Sequence, residues 1–211
     1  NADVFQTYGK LLPKKKIPSK IFKQERSSSA LIFYWGINDI HEQLDVHNIL
    51  FSNNYRQEFK HLFEQKNIYK DPTVYVYISS KTIEADAPAG KENWFVMINV
   101  PANFGQQWDT LISKARKDII TKINQMLQID IEPKIEFEEI LNPRRIEKQT
   151  HTYQGALYGN SSNSKFSAFQ RHGNKSAIKN LYFTGGSVHP GGGIPLCLAS
   201  ASITANEIKK Q

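Results

Sequence analysis

Sulfur is scarce in this chain and long apolar runs are missing. A single cysteine, Cys197, in 211 residues excludes an internal disulfide and a multi-cysteine zinc site. No uninterrupted apolar stretch reaches the roughly 18 residues of a membrane-spanning helix. Neither a Gly-x-x-x-x-Gly-Lys-Ser/Thr loop nor a Gly-x-Gly-x-x-Gly fingerprint occurs, which removes the P-loop and the usual dinucleotide-binding first turn. His41, His47, His61, His151 and His172 lack the His-Glu-x-x-His spacing, so no metal is expected. Asn1 heads the chain with no signal-peptide pattern behind it, and the expectation is a processed or partial chain. What is present looks globular. Hydrophobic residues make up 39% and charged residues 22%, proportions of a chain that folds on a core, and 12 Phe with nine Tyr make it rich in aromatics.

The formal net charge is +7, and the excess is uneven. Lys10, Lys14, Lys15, Lys16, Lys20, Lys23 and Arg26 face only Glu25 in their stretch. Such a run suits a solvated loop or the anionic surface of a membrane. No zinc finger, RRM core or helix-turn-helix accompanies it, so nucleic acid is not expected as a partner.

Periodicity predicts the elements. Residues 30–37 read as a strand from their β-branched and aromatic content, and His47–Phe51 as a second short one. Tyr55, Phe59, Leu62 and Phe63 recur at helical spacing over 53–66. In 73–79, Val74, Val76 and Ile78 oppose Tyr75 and Tyr77; in 93–100, Trp94, Val96 and Ile98 oppose Phe95 and Met97. Both faces of these strands are therefore covered or line a cavity. A turn-rich link around Pro88 and Gly90 suits neighbouring antiparallel strands. The strongest helix spans 107–127, with Trp108, Leu111, Ile112, Ala115, Ile119, Ile123, Met126 and Leu127 on one stripe and Lys114, Lys117, Lys122 and Gln125 opposite. Ile135 and Phe137 alternate with Glu136 and Glu138 as a half-exposed strand, Pro143 opens a short helix through Lys148, and 150–178 reads mostly as loop.

The C-terminal end differs in kind. Residues 180–184 read as a short apolar strand, followed by Gly185-Gly-Ser-Val-His-Pro-Gly-Gly-Gly193 and a helix from Ile194, with Pro195 in its first turn. Five of the 12 glycines fall in these nine positions, where average usage would place about half a glycine. Glycine removes the Cβ that would keep a ligand off the backbone, and a helix start offers unpaired N–H groups with partial positive charge. Strand, glycine turn and helix together make a cradle for an anion or an electron-rich carbonyl. The alternative is a tight turn whose glycines serve only backbone angles. Small residues Ala199, Ser200, Ala201 and Ala205 suit close approach of that helix to another backbone. Cys197 lies just inside the helix start, and its neighbours Leu196 and Leu198 suggest a buried thiol.

The segment Asn180-Leu-Tyr-Phe-Thr-Gly-Gly-Ser-Val-His-Pro-Gly-Gly-Gly-Ile-Pro195 closely resembles the C-terminal signature of bacterial-type phytoene desaturases, FAD-dependent carotenoid dehydrogenases. Asn1-Ala-Asp3, Gln24-Glu-Arg-Ser-Ser-Ser-Ala-Leu31, Ala87-Pro-Ala-Gly-Lys-Glu92 with Trp94-Phe-Val96 and Val100-Pro101, and Tyr153-Gln-Gly-Ala-Leu-Tyr-Gly159 extend the resemblance in family order over nearly the whole chain. Val188 stands where the family more often has Thr or Ala, and Gly192 where another small residue is common. Family members are more than twice as long and begin with a Gly-rich FAD site that this chain lacks. It looks like the C-terminal part of such an enzyme and is not expected to hold FAD alone.

The resemblance implies an α+β fold: an antiparallel, helix-covered substrate-domain sheet, plus a C-terminal strand-turn-helix completing a Rossmann-like FAD domain. The implied boundaries are 1–26 for the edge of the FAD domain, 27–172 for the polyene domain and 173–211 for the C-terminal part of the FAD domain. It implies oxidative removal of hydrogen from phytoene or a related precursor in carotenoid biosynthesis, with a hydride passing to flavin N5. A carotenoid oxidase acting on terminal methyl groups, a polyene isomerase and an inactive membrane-surface module are the alternatives. Cofactor contact is implied for Gly185, Gly186, Ser187, His189, Pro190, Gly193, Ile194 and Pro195, with the amides of Gly193 and Ile194 beside the charge on reduced flavin. His189 is implied as a proton acceptor or flavin-orienting group, against the alternative of a hydrogen bond that shapes the turn. Trp35, Tyr75, Tyr77, Phe95 and Met97 are candidates to line a tunnel for the polyene, against an ordinary packed core. Expected partners are the apolar polyene, a membrane surface and a quinone or other electron acceptor. The expected location is the bacterial cytoplasm, peripheral to its membrane.

Overall fold

The computed structural model describes residues 3–12, 23–161 and 171–210. Lys14, Lys15, Lys16 and Lys20, the densest part of the basic run, lie outside them, as do Asn1 and Ala2. The chain forms two compact units, Ala30–Asn142 and Asn1–Ser29 with Pro143–Gln211.

In the first unit, strands β1 (Ser29–Ile37), β2 (His47–Leu50), β3 (Val74–Tyr77), β4 (Glu92–Val100) and β5 (Ile135–Leu141) form one sheet in the order β2-β3-β4-β1-β5. Helices α1 (Tyr55–Phe63) and α2 (Trp108–Leu127) complete it. The β2–β3, β3–β4 and β1–β5 pairs run antiparallel. Alternation sorts the side chains as expected. Val74, Val76, Ile78, Trp94, Val96, Ile98 and Val100 are buried in one core with Leu31, Phe33, Trp35 and Ile37 of β1. From α2, Trp108, Ile112, Ala115, Ile119 and Ile123 join the same core. Each large aliphatic side chain buried this way contributes about 1.5–3 kcal/mol. Helix α1 begins at Asn54, whose side chain accepts from the Gln57 N–H, and buries Glu58 and Leu62. The Glu58 carboxylate accepts from the backbone and hydroxyl of Thr73 at 2.9 and 2.7 Å, which holds the helix to the start of β3.

Three details of this unit depart from the sequence reading. Met126, expected on the apolar stripe of α2, is 53% exposed. Lys122, expected on the polar side of α2, is buried. Its ammonium donates to the Asp71 carboxylate and to the Pro72 carbonyl, both at 2.7 Å. The aliphatic stem packs inward while the charged tip finds acceptors 50 residues away, which periodicity alone does not register. In β5, Phe137 is 60% exposed and Glu138 turns inward. Gly36 pairs with Phe137 but Ile37 pairs with Ile135, so Glu136 is an extra residue in the ladder. This bulge reverses the side-chain sense beyond it. Glu138 then accepts from Trp35 Nε1 at 2.6 Å and Arg116 Nε at 2.8 Å.

In the second unit, α3 (Pro143–Thr150) and α4 (Ile194–Lys209) are the long helices, and a single helical turn covers Val4–Gln6. Residues 143–161, which the sequence reading places with the polyene domain, belong here. The backbone explains why: Ser27 N–H donates to Gly159 O, Leu157 N–H to Ser28 O and Ser161 N–H to Glu25 O. The strand expected over 180–184 reduces to one isolated bridge, Lys175 with Tyr182, and a second bridge, His172 with Val188, follows it in the glycine segment. A strand exists only through its ladder, and no continuous partner flanks this segment among the described residues.

Asp71 tests the buried charge pair. Burial pushes its carboxyl up, but the Lys122 ammonium and the Asn53 amide outweigh this and hold it below the ordinary value. Unfolded Asp71 thus binds protons more readily than folded Asp71, so stability rises with pH across that range. Asp71→Ala should destabilise the chain by on the order of 3 kcal/mol at pH 7, because it strands the Lys122 charge. Urea unfolding should also show wild-type stability falling as pH drops below about 4, with a weaker fall in the variant. Equal stability of the two proteins at pH 7 would contradict this role.

Candidate functional sites

The glycine segment of the second unit has a closed half and an open half. The closed half is Gly185–Val188. Gly185 N–H donates to Ser200 Oγ at 3.1 Å, Gly186 O accepts from Arg171 Nη1 at 3.0 Å, and buried Ser187 accepts from Val4 N–H at 3.3 Å. Gly185 and Ser187, expected against a cofactor, are thus engaged inside the unit, and Gly186 is half-buried. A buried network fixes this half. Asn174 Nδ2 reaches Ser200 Oγ at 2.8 Å and Phe183 O at 3.2 Å, and Thr204 Oγ1 donates to Phe183 O at 2.9 Å. Arg171 also donates to Tyr158 O at 2.8 Å.

The open half is Gly192–Leu196. Gly193 has φ +97° and no atom within 4 Å of a built Cβ; the bulky neighbour is at Gly192, whose Cβ would meet the Tyr158 ring. Ile194 is 80% exposed, and Pro195 and Leu196 are exposed with it. No side chain caps α4, and its first intrahelical bond runs from Cys197 N–H to Gly193 O at 2.9 Å. The amides of Ile194 and Leu196 therefore stand at an accessible, partially positive helix start. This arrangement suits an anionic or electron-rich group lying against bare main chain, and the residues present fit a flavin ring edge there.

His189 is exposed, and its backbone N–H ties the turn by donating to His172 O at 2.9 Å. The His189–Pro190 bond is cis, and Pro190 is half-buried. Cys197 is half-buried, with Leu196 and Leu198 exposed beside it, so the expected apolar burial is absent. Close packing of α4 falls to Ser200 and Thr204, whereas Ala199, Ala201 and Ala205 are exposed.

Beside this segment lies a buried charge neighbourhood. Asp3 caps the Val4–Gln6 turn, accepting from Phe5 N–H at 2.9 Å, and burial raises its carboxyl pKa. Arg26 stacks over Phe5 at 3.2 Å, bonds Asn160, and is lowered by burial to about 10. Tyr8 Oη bonds Ser176 Oγ at 2.8 Å and His172 Nε2 at 3.1 Å. Burial holds the His172 ring below the ordinary value, so it is neutral near pH 7.

The first unit carries the second candidate surface. Tyr75, Tyr77, Phe95 and Met97 share the sheet face opposite the α2 core, because Tyr75 pairs with Met97 and Tyr77 with Phe95. Trp35 is not with them. It lies on the core face, 2% exposed, with its N–H given to Glu138. The open face is longer than the sequence reading has it. His47 pairs with Tyr77, Ile49 with Tyr75, and Phe137 with Gly36, next to Tyr34. Ring contacts link the row: His47–Tyr77 at 5.2 Å, Tyr75–Phe95 at 6.2 Å and Tyr34–Phe95 at 5.6 Å. Four inter-strand steps of about 4.8 Å give an aromatic band of about 19 Å. Tyr34, His47, Ile49 and Phe137 escaped the sequence reading; strand register could have found them, composition could not.

No protein-family model matches the chain. Curated relatives do. A 1-hydroxycarotenoid 3,4-desaturase of Flavobacterium sp. (strain P99-3) is 59% identical over 209 residues, 99% of this chain and 43% of that protein. A phytoene desaturase of Fusarium fujikuroi is 34% identical over 232 residues, covering 100% of this chain and 41% of that protein. A 4,4'-diaponeurosporene oxygenase of Staphylococcus haemolyticus is 32% identical over 212 residues, 99% of this chain and 42% of that protein. The chain spans about two fifths of the length of these relatives.

The network behind the cradle makes a checkable demand. Ser200→Ala strands the Gly185 N–H and one Asn174 hydrogen bond in a buried site, at a cost of about 1–3 kcal/mol. Thermal unfolding should show the loss, and hydrogen exchange at Gly185 should quicken; unchanged exchange would remove Ser200 from the network.

Proposed function

Because this chain belongs to the carotenoid desaturase family, of the bacterial phytoene desaturase type, we propose that it serves FAD-dependent dehydrogenation of a carotenoid precursor. The observation that carries this reading is the open, uncapped start of α4 at Gly193 and Ile194. A flavin bound there supplies the acceptor for a hydride taken from the polyene. The chain's own contribution is electrostatic and steric. The amides of Ile194 and Leu196, with the positive end of a 16-residue helix, favour negative charge at the ring edge. Gly193, lacking a side chain, lets a planar group reach the main chain. His189, exposed beside this start, can hold a proton at its ring nitrogens. The open sheet face of the first unit offers an apolar aromatic bed for a long hydrocarbon, and the polyene is assigned to it.

A second reading, oxidation at a polyene terminus, is favoured by the match to the diaponeurosporene oxygenase. Product analysis in cells making phytoene separates the two: added double bonds support the desaturase, and terminal oxygenation supports the oxidase.

Such a substrate dissolves in bilayers, so a membrane-surface role is part of the proposal. Helix α1 offers a suitable surface. Tyr55, Phe59 and Phe63 form an outward stripe with ring separations of 4.8 and 5.6 Å, and exposed Arg56 and Lys60 flank it. Aromatic rings beside cations favour the interface of an anionic bilayer. Among the described residues no helix is long and apolar enough to cross a membrane.

Two measurements test these assignments in the full-length protein. At φ +97° a β-branched residue is strained, so Gly193→Val should abolish flavin retention, read as flavin absorbance per protein; unchanged content would refute the cradle assignment. Replacing Tyr55 and Phe59 together by Ser should lower co-sedimentation with phosphatidylglycerol vesicles about tenfold or more, at roughly 0.8 kcal/mol per buried CH2 lost. Equal sedimentation would move membrane contact elsewhere.

A further inference from the structure

The aromatic band on the open sheet face carries a hydrogen-bonded polar pair at its β2 edge, and Glu139 lies at the opposite end, paired with Tyr34. At the β2 edge, Tyr75 Oη lies 2.8 Å from His47 Nδ1, the two rings stack at 6.1 Å and 15°, and Tyr77 stacks on His47 from the other position. His47 Nε2 has no partner among the described residues. Hydrogen-bond accounting at this pair does not depend on the tautomer. If Tyr75 donates to Nδ1, its oxygen keeps a lone pair and Nε2 carries a proton. If Nδ1 carries the proton, Tyr75 keeps its O–H and Nε2 keeps a lone pair. Either way the pair presents one donor and one acceptor.

We propose that His47 and Tyr75 read a hydroxyl group at the end of the polyene, making them specificity-determining residues for a hydroxylated carotenoid. An alcohol is the simplest group that gives one hydrogen bond and takes one. A carboxylate or a ketone only accepts, and a hydrocarbon end does neither. The remainder of the row, Tyr77, Phe95, Met97 and Tyr34, offers contact to an apolar chain, and the pair sits where that row meets the sheet edge. An unhydroxylated chain end placed here would cover the spare donor and acceptor without pairing them, which costs binding. Discrimination by a site that hydrogen-bonds a substrate hydroxyl exceeds what apolar packing achieves.

The inference rests on the reading of this protein as a carotenoid desaturase, and one experiment separates the two. The full-length enzyme is assayed with a polyene bearing a terminal hydroxyl and with the same polyene lacking it, and the ratio of kcat/KM values is taken. Wild type should prefer the hydroxylated polyene. Tyr75→Phe, which keeps the ring, and His47→Leu should each cut that preference about tenfold or more. A purely structural role would lower both substrates together and leave the ratio alone, and an unchanged ratio overturns the inference. A wild-type enzyme that desaturates but prefers the unhydroxylated polyene overturns it too, while the desaturase reading stands. An enzyme that desaturates neither overturns both.

Discussion

Burial of one side of a single sheet under α2 is the constraint that organises the first unit. It demands large apolar side chains at every second position, and two of those positions are tryptophans. A buried indole must give its N–H to something. Trp35 gives it to Glu138, and Trp94 gives it to Glu92 at 2.8 Å. Each carboxylate, once drawn inward, needs a cation. Arg116 serves Glu138, and Lys81 reaches Glu92 at 2.6 Å. Two lines of polar residues thus descend from two hydrophobic decisions. The bulge at Glu136 is what lets Glu138 arrive on the correct side.

The second unit solves a different problem. Its glycine segment has almost no ladder to occupy its backbone groups, so side chains do it. Asn174, Ser200, Thr204 and Arg171 take the donors and acceptors that strands would otherwise have used. This leaves Gly185–Val188 rigidly engaged and concentrates accessible main chain at the start of α4. The division of one glycine-rich stretch into a clamped part and an open part is set by Val4, Arg171 and Asn174 upstream and by Ser200 and Thr204 of helix α4.

Much of the fold was legible because period-2 and period-3.6 patterns are local. Val74, Val76 and Ile78 against Tyr75 and Tyr77 announce their sheet faces, and the α2 stripe announces its helix. Lys122 was illegible because its acceptors, Asp71 and Pro72, come from a distant segment. Phe137 was illegible because one inserted residue inverts alternation without any sign in composition. Residues 180–184 look like a strand by content and lack the partners that make one. In the glycine segment, the helix start at Ile194 and Pro195 could be read directly. The clamps could not, since Asn, Ser and Thr are common in loops and only three-dimensional proximity distinguishes a clamp from a solvated side chain.

Gly36 has a bearing on the aromatic face. A Cβ there would sit 3.2 Å from Cβ of Phe137, so the empty position on β1 is what lets the fifth strand carry a phenylalanine opposite it without displacement. The absent methyl acts as a spacer set to zero. A side chain at this position would have to push Phe137 aside by a few tenths of an ångström, and the fifth strand would no longer align with the rest of the row.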